Sequence, residues 1–85
     1  MSVRVLYFAG LRDAVNCGEE ELRELPPGVE TVGALRDWLS ARGDRWAALR
    51  PGQSVRAAVN QELAPANQSI AEGDEVAFFP PVTGG

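Results

Sequence analysis

The chain has no histidine and no lysine among its 85 residues, and a single cysteine. Each gap closes off a class of chemistry. Histidine is the usual general base near neutral pH. Lysine is the usual Schiff-base former, and a P-loop cannot be built without it. All eight basic residues are arginine. The lone thiol, Cys17, cannot close an internal disulfide, complete a Cys/His zinc site or hold an iron–sulfur cluster within one chain. Its neighbours Asn16, Gly18 and the run Glu19-Glu20-Glu21 are not the electropositive surroundings of a reactive thiol, so Cys17 reads as an incidental loop residue. No apolar run is long enough to span a bilayer, and Met1-Ser2-Val3-Arg4 does not open like a signal peptide. A cytoplasmic protein with no membrane contact is expected. The net charge of -4 argues against nucleic acid as a partner. No residue is equipped as a catalytic centre, and no bound metal or cofactor is expected.

Apolar residues make up 45% of the chain, enough for one modest core but not for a core and a deep pocket. Val3 to Phe8 reads as a first strand. With Arg4 facing solvent, alternation sends Val3, Val5 and Tyr7 inward and leaves Leu6 and Phe8 on the outer face. Gly10 is expected to end that strand, with a short helical turn over Leu11–Val15. A second strand is predicted over Glu20–Leu25, stopped by Pro26-Pro27-Gly28. Thr31 reads as an N-cap, and Val32, Leu35, Trp38 and Leu39 follow at helical spacing as a core stripe. Gly43 is the expected C′ residue, and Asp44 the expected cap of a short helix over Arg45–Leu49. Val55–Val59 is a third strand, Asn60-Gln61-Glu62 a turn, and Leu63–Ile70 irregular because Pro65 forbids a central strand. Glu72-Gly73-Asp74 turns into a last strand, Glu75–Phe79. The order predicts an α+β roll: a mixed sheet wrapped on one amphipathic helix, with residues 1–79 as the domain and 80–85 as a tail.

The tail Pro80-Pro81-Val82-Thr83-Gly84-Gly85 carries chemistry where the rest does not. Diproline keeps the backbone extended, and six extended residues reach about 20 Å. Gly84 and Gly85 lack a Cβ and so fit a channel too narrow for other residues. The α-carboxylate at the tip is a nucleophile for an activated phosphate. Strand parity also places Phe79 beside Leu6 and Phe8 on the outer face, and Leu63 can join them. Such a cluster near a reactive tail suggests a docking patch.

The run Asp74-Glu75-Val76-Ala77-Phe78-Phe79-Pro80-Pro81-Val82-Thr83-Gly84-Gly85 resembles the C-terminal signature of the molybdopterin synthase small-subunit family. Gly73, Ala58-Val59-Asn60-Gln61, Val3–Ala9 and Asp44-Arg45-Trp46 fit as well, so the resemblance covers essentially the whole chain. It implies a ubiquitin-like β-grasp fold and a sulfur carrier that is not an enzyme on its own. Gly85 would be adenylated by an E1-like enzyme using ATP, and a sulfur donor system would convert it to a thiocarboxylate. The loaded tail would then enter the large subunit of the synthase. There its sulfur would pass to cyclic pyranopterin monophosphate, towards the dithiolene that holds molybdenum. Carried over by position, Phe8, Leu63 and Phe79 would form the docking face, and two carriers would sit on a dimer of large subunits. Three other readings stay open: a sulfur carrier for the thiamine thiazole, a ubiquitin-like protein modifier, and a β-grasp adaptor with an inert tail. Carriers for the thiazole typically lack the Phe78-Phe79-Pro80-Pro81 run.

Overall fold

Val3, Val5 and Tyr7 turn inward from the first strand and are almost wholly buried, while Arg4 is exposed and Leu6 half-buried. That alternation sets the frame of the whole domain. The computed structural model describes residues 1–81. It contains β1 (Val3–Tyr7), α1 (Ala9–Val15), β2 (Glu19–Leu22), α2 (Val32–Ser40), a 3₁₀ helix (Asp44–Leu49), β3 (Arg56–Val59), β4 (Glu62–Leu63) and β5 (Glu75–Phe79). The sheet order is β2-β1-β5-β3-β4, with β1 and β5 parallel and the other neighbours antiparallel. The mixed sheet expected from the sequence is therefore present, and the last strand of the chain occupies its centre.

One face of this sheet carries α2, as the helical stripe requires. Val32, Leu35 and Leu39 are buried, whereas Trp38 is only half-buried. They meet Val3, Val5 and Tyr7 of β1 and Val76 and Phe78 of β5, and Trp46 and Leu49 of the 3₁₀ helix close the end of the core. Each fully buried Leu or Phe here contributes about 1.5–3 kcal/mol relative to exposure. The Tyr7 ring stacks with Phe78 at 6.4 Å and tilts against Trp46 at 5.6 Å. Thr31 caps α2 as expected, its Oγ1 accepting from the Ala34 N–H at 3.1 Å. Two further orphan donors of that helix end, the N–H groups of Val32 and Gly33, are taken up by the carbonyls of Gln68 and Ala66.

Several boundaries differ from the sequence reading. β1 ends at Tyr7; Ala9, in the left-handed region at φ 53°, makes the break, and Gly10 lies inside α1. β2 stops at Leu22, three residues short of the expected end. α2 is capped by Ala41, so Gly43 is not its C′ residue but the N-cap of the 3₁₀ helix. Its φ of 154° with ψ -179° is backbone space that only glycine occupies readily. Asp44 is consequently the first residue of that helix and makes no capping bond. Glu62–Leu63, expected as turn and irregular chain, forms β4, an additional strand at the sheet edge. Asn60 (φ 50°) and Gln61 (φ 71°) complete a two-residue primed turn that lets the chain return immediately along β3.

Candidate functional site

The face of the sheet turned away from α2 is where the expected docking residues meet. Cross-strand register fixes three rows on it. Glu21, Arg4 and Glu75 form the first; Glu19, Leu6, Ala77, Ala58 and Leu63 the second. At the end where β5 finishes, Phe79 lies opposite Arg56. Phe8 follows β1 to the same end, its N–H donating to the Phe78 carbonyl at 3.1 Å. Large apolar side chains are rarely left in water without cause, yet Phe8 is 48% exposed and Leu63 73%. Together with Leu6, Ala58, Ala77 and Phe79 they line a shallow depression of about 470 Å³. Phe8, Leu63 and Phe79 are thus brought together on one surface.

Small side chains make that surface concave. Ala58 and Ala77 sit directly opposite each other in the middle row, between Leu6 and Leu63, and form its floor. Parity along β5 already put Ala77 on the outside. Ala58 and Arg56 were not singled out, because only the pairing of β3 with β5 reveals that they share the face. The N-terminal end of β5 is held by side chains. Asn60 accepts from the Glu75 N–H at 3.0 Å and donates to the Asp74 carboxylate at 3.0 Å, while Asp74 also accepts from the Ala71 N–H at 2.8 Å. At the other end of β3, Arg36 donates to the carbonyls of Leu49, Arg50 and Gln53 and so secures the loop that leads into the strand. The β3–β5 pair is therefore held at both ends, by Asn60 and Asp74 away from the tail and by the Arg36-bound loop at the end where β5 finishes.

Pro80 and Pro81 leave β5 half-buried at the Phe8–Phe79 end of the depression. Val82, Thr83, Gly84 and Gly85 lie outside the described residues. Among the described residues no group of His, Cys, Asp or Glu side chains is placed to hold a metal ion, and no helix is long and apolar enough to cross a membrane. Cys17 is half-buried and its thiol donates to the Glu19 carbonyl at 3.3 Å.

Among the described residues, the one cluster with shifted titration lies on the opposite side of the sheet. The Tyr7 hydroxyl donates to Glu20 at 2.8 Å, and Arg42 grips the same carboxylate with two nitrogens, at 2.6 and 3.0 Å. Burial, then the Glu20 hydrogen bond, drive the Tyr7 hydroxyl far above its ordinary range. Burial pushes the Glu20 carboxyl up, but the hydrogen bonds from Arg42 and Tyr7 and the charges of Arg42 and Arg45 outweigh it, and the group stays below its usual value. Arg42 also lies 3.9 Å over the Trp46 ring. A tyrosine held protonated against a carboxylate held ionised exchanges no proton near neutral pH. This clasp ties β2 to the end of α2 and the 3₁₀ helix.

Comparison with known proteins places the whole chain in context. The family model described as ThiS family matches residues 5–85. The molybdopterin synthase sulfur carrier subunit of Escherichia coli is 43% identical over 83 residues, covering 98% of this chain and 99% of that protein. Its namesake from Mycobacterium tuberculosis is 42% identical over 86 residues, covering 100% and 99%. Among solved structures, a putative molybdopterin converting factor, subunit 1, from Pyrococcus furiosus superposes with a TM-score of 0.76 at 31% identity, over 96% of this chain and 99% of that one. The small archaeal modifier protein 1 of Haloferax volcanii gives 0.73 at 26% identity, over 95% and 98%. The fold shared with these neighbours is the ubiquitin-like β-grasp.

Proposed function

The chain belongs to the ThiS family, and from that premise we propose that it is the sulfur-carrier subunit of a molybdopterin synthase, loaded and unloaded at Gly85. The observation that carries this reading is the end-to-end match to carriers of that name. The apolar outer face at the root of the tail supports it. The chemistry proceeds in three steps. In an E1-like enzyme the Gly85 carboxylate attacks the α-phosphate of ATP and pyrophosphate leaves, giving an acyl-adenylate. That mixed anhydride is cleaved by sulfur from a donor, AMP departs, and a thiocarboxylate remains. In the large subunit's active site the sulfur attacks cyclic pyranopterin monophosphate. Water then cleaves the acyl carbon–sulfur bond of the resulting thioester, which restores the Gly85 carboxylate and leaves the sulfur on the substrate, and two such transfers supply both dithiolene sulfurs. Each reactive group other than the glycine comes from a partner, which suits a chain with no histidine or lysine.

Intact mass is the direct test. Incubation with ATP, the activating enzyme and a sulfur donor should add about 16 Da, sulfur in place of oxygen. An unchanged mass with an enzyme that loads its own carrier rejects the proposal. Docking is read separately: Phe79→Ala should weaken binding to the large subunit by about 1–4 kcal/mol and move stability far less.

The structural likeness to a small archaeal modifier protein keeps a second reading in play, conjugation of Gly85 to lysines of other proteins. The adenylate permits it, since an amine can displace AMP as sulfur does. Isopeptide-linked adducts on cellular proteins would favour it; free thiocarboxylate alone would not.

A further inference from the structure

The charges around the apolar depression are not scattered. At the end of the outer face away from the tail, Glu21 and Glu75 flank Arg4 in one row, and Glu19 sits in the next row with a carboxylate oxygen 3.9 Å from the Arg4 Nε. Arg23 adds a second guanidinium, its Nε 3.7 Å from a Glu21 carboxylate oxygen, so three carboxylates stand against two cations and that end stays net negative. At the tail end, Phe79 has Arg56 as its cross-strand neighbour. Arg56 is exposed and has no ion-pair partner among the described residues. Leu6, Ala77, Ala58 and Leu63 lie between these two ends. The face therefore carries a dipole directed along β5, positive where the chain leaves the sheet. In a chain of net charge -4, a cation in that position runs against the overall field.

We infer that this polarity orients docking: the partner surface carries an acidic group opposite Arg56, at the mouth of the site the tail enters, and basic groups opposite Glu19, Glu21 and Glu75. The inference rests on the proposed role of the outer face as the docking surface and adds the charge pattern of its partner. An apolar patch alone fixes contact but not heading, because dispersion and burial have no direction. A tail that must thread a narrow channel gains from an encounter complex already aligned, and complementary charge supplies alignment through the association rate.

The experiment measures association of the full chain with the large synthase subunit of the same organism, by stopped flow at low and high salt. Arg56→Glu makes the chain more acidic; Glu21→Arg makes it less so. If only net charge mattered, the two variants would shift the rate in opposite directions. Polarity requires both to slow it, by about tenfold at low salt, with most of the loss gone at high salt. Arg50→Glu repeats the charge change of Arg56→Glu at an exposed arginine beyond the 3₁₀ helix, and should leave the rate within about twofold. Unchanged melting confirms that each variant is folded. An Arg56→Glu chain that binds as fast as the parent or faster, or an Arg50→Glu chain slowed equally, overturns the inference while the carrier reading stands. Failure of the unsubstituted chain to bind at all removes the partner, and the inference with it.

Discussion

Glu20 is the residue at which opposing forces are most evenly matched. Burial disfavours its charge, and two hydrogen-bonded partners more than restore it. A carboxyl whose pKa is depressed by folding stabilises the protein above the unfolded value and loses that contribution as pH falls through the folded one. Urea titrations should therefore show stability falling on acidification below about pH 4.3. Glu20→Gln should flatten that acid limb and cost about 1–2 kcal/mol at neutral pH. A variant with an unaltered acid limb would assign the pH dependence elsewhere. Tyr7→Phe keeps the ring between Phe78 and Trp46 and removes only the hydroxyl, so about 1 kcal/mol should be lost, read from the same titration. The sequence did not announce this cluster. Glu20 and Arg42 stand 22 positions apart, and no local pattern links them.

Among the elements, the β3–β4 hairpin and the start of α2 show how local chemistry meets tertiary demand. The turn needs two left-handed residues, and Asn60 supplies one cheaply because asparagine tolerates that region. Gln61 does not, so Gln61→Gly should stabilise the domain by about 0.5–1 kcal/mol, measured as a shift in the unfolding midpoint. Loss of the cap by Thr31→Ala should cost about 1 kcal/mol. Gly33 is constrained from outside its helix. A Cβ there would come within 3.1 Å of the Ala66 carbonyl oxygen, which itself accepts from the Gly33 N–H. Gly33→Val should accordingly destabilise by about 1–3 kcal/mol despite removing a helix-weakening glycine. Strand and helix cores were legible because period-two and helical spacing survive in short segments. Their ends were not, since Ala9 and Gly43 act through backbone angles that neighbouring residues decide.

For the molecule as a whole, the sequence showed the fold class and both sides of β1, because one charged residue in an apolar strand sets the parity. Parity also placed Phe8 and Phe79 outside, whereas for Leu63 it left only the option of joining them. Concavity and polarity of that face stayed hidden, as Ala58 and Arg56 acquire their neighbours only through the register of strands about twenty residues apart. Removing residues 82–85 should leave the unfolding free energy within about 0.5 kcal/mol, since the strands, helices and loop residues Val29 and Ile70 already form a continuous core among the described residues; a larger loss on calorimetry would give the tail a structural part. The position of β5 has a further consequence during synthesis. β1 leaves the ribosome first, yet its parallel partner is the final strand, and β3 needs that strand too. Neither can be completed until translation has passed Phe79, so the sheet closes late, by pairing of segments far apart in the sequence. A product cut short before β5 would lack the keystone of its sheet, and proteases would meet it unfolded.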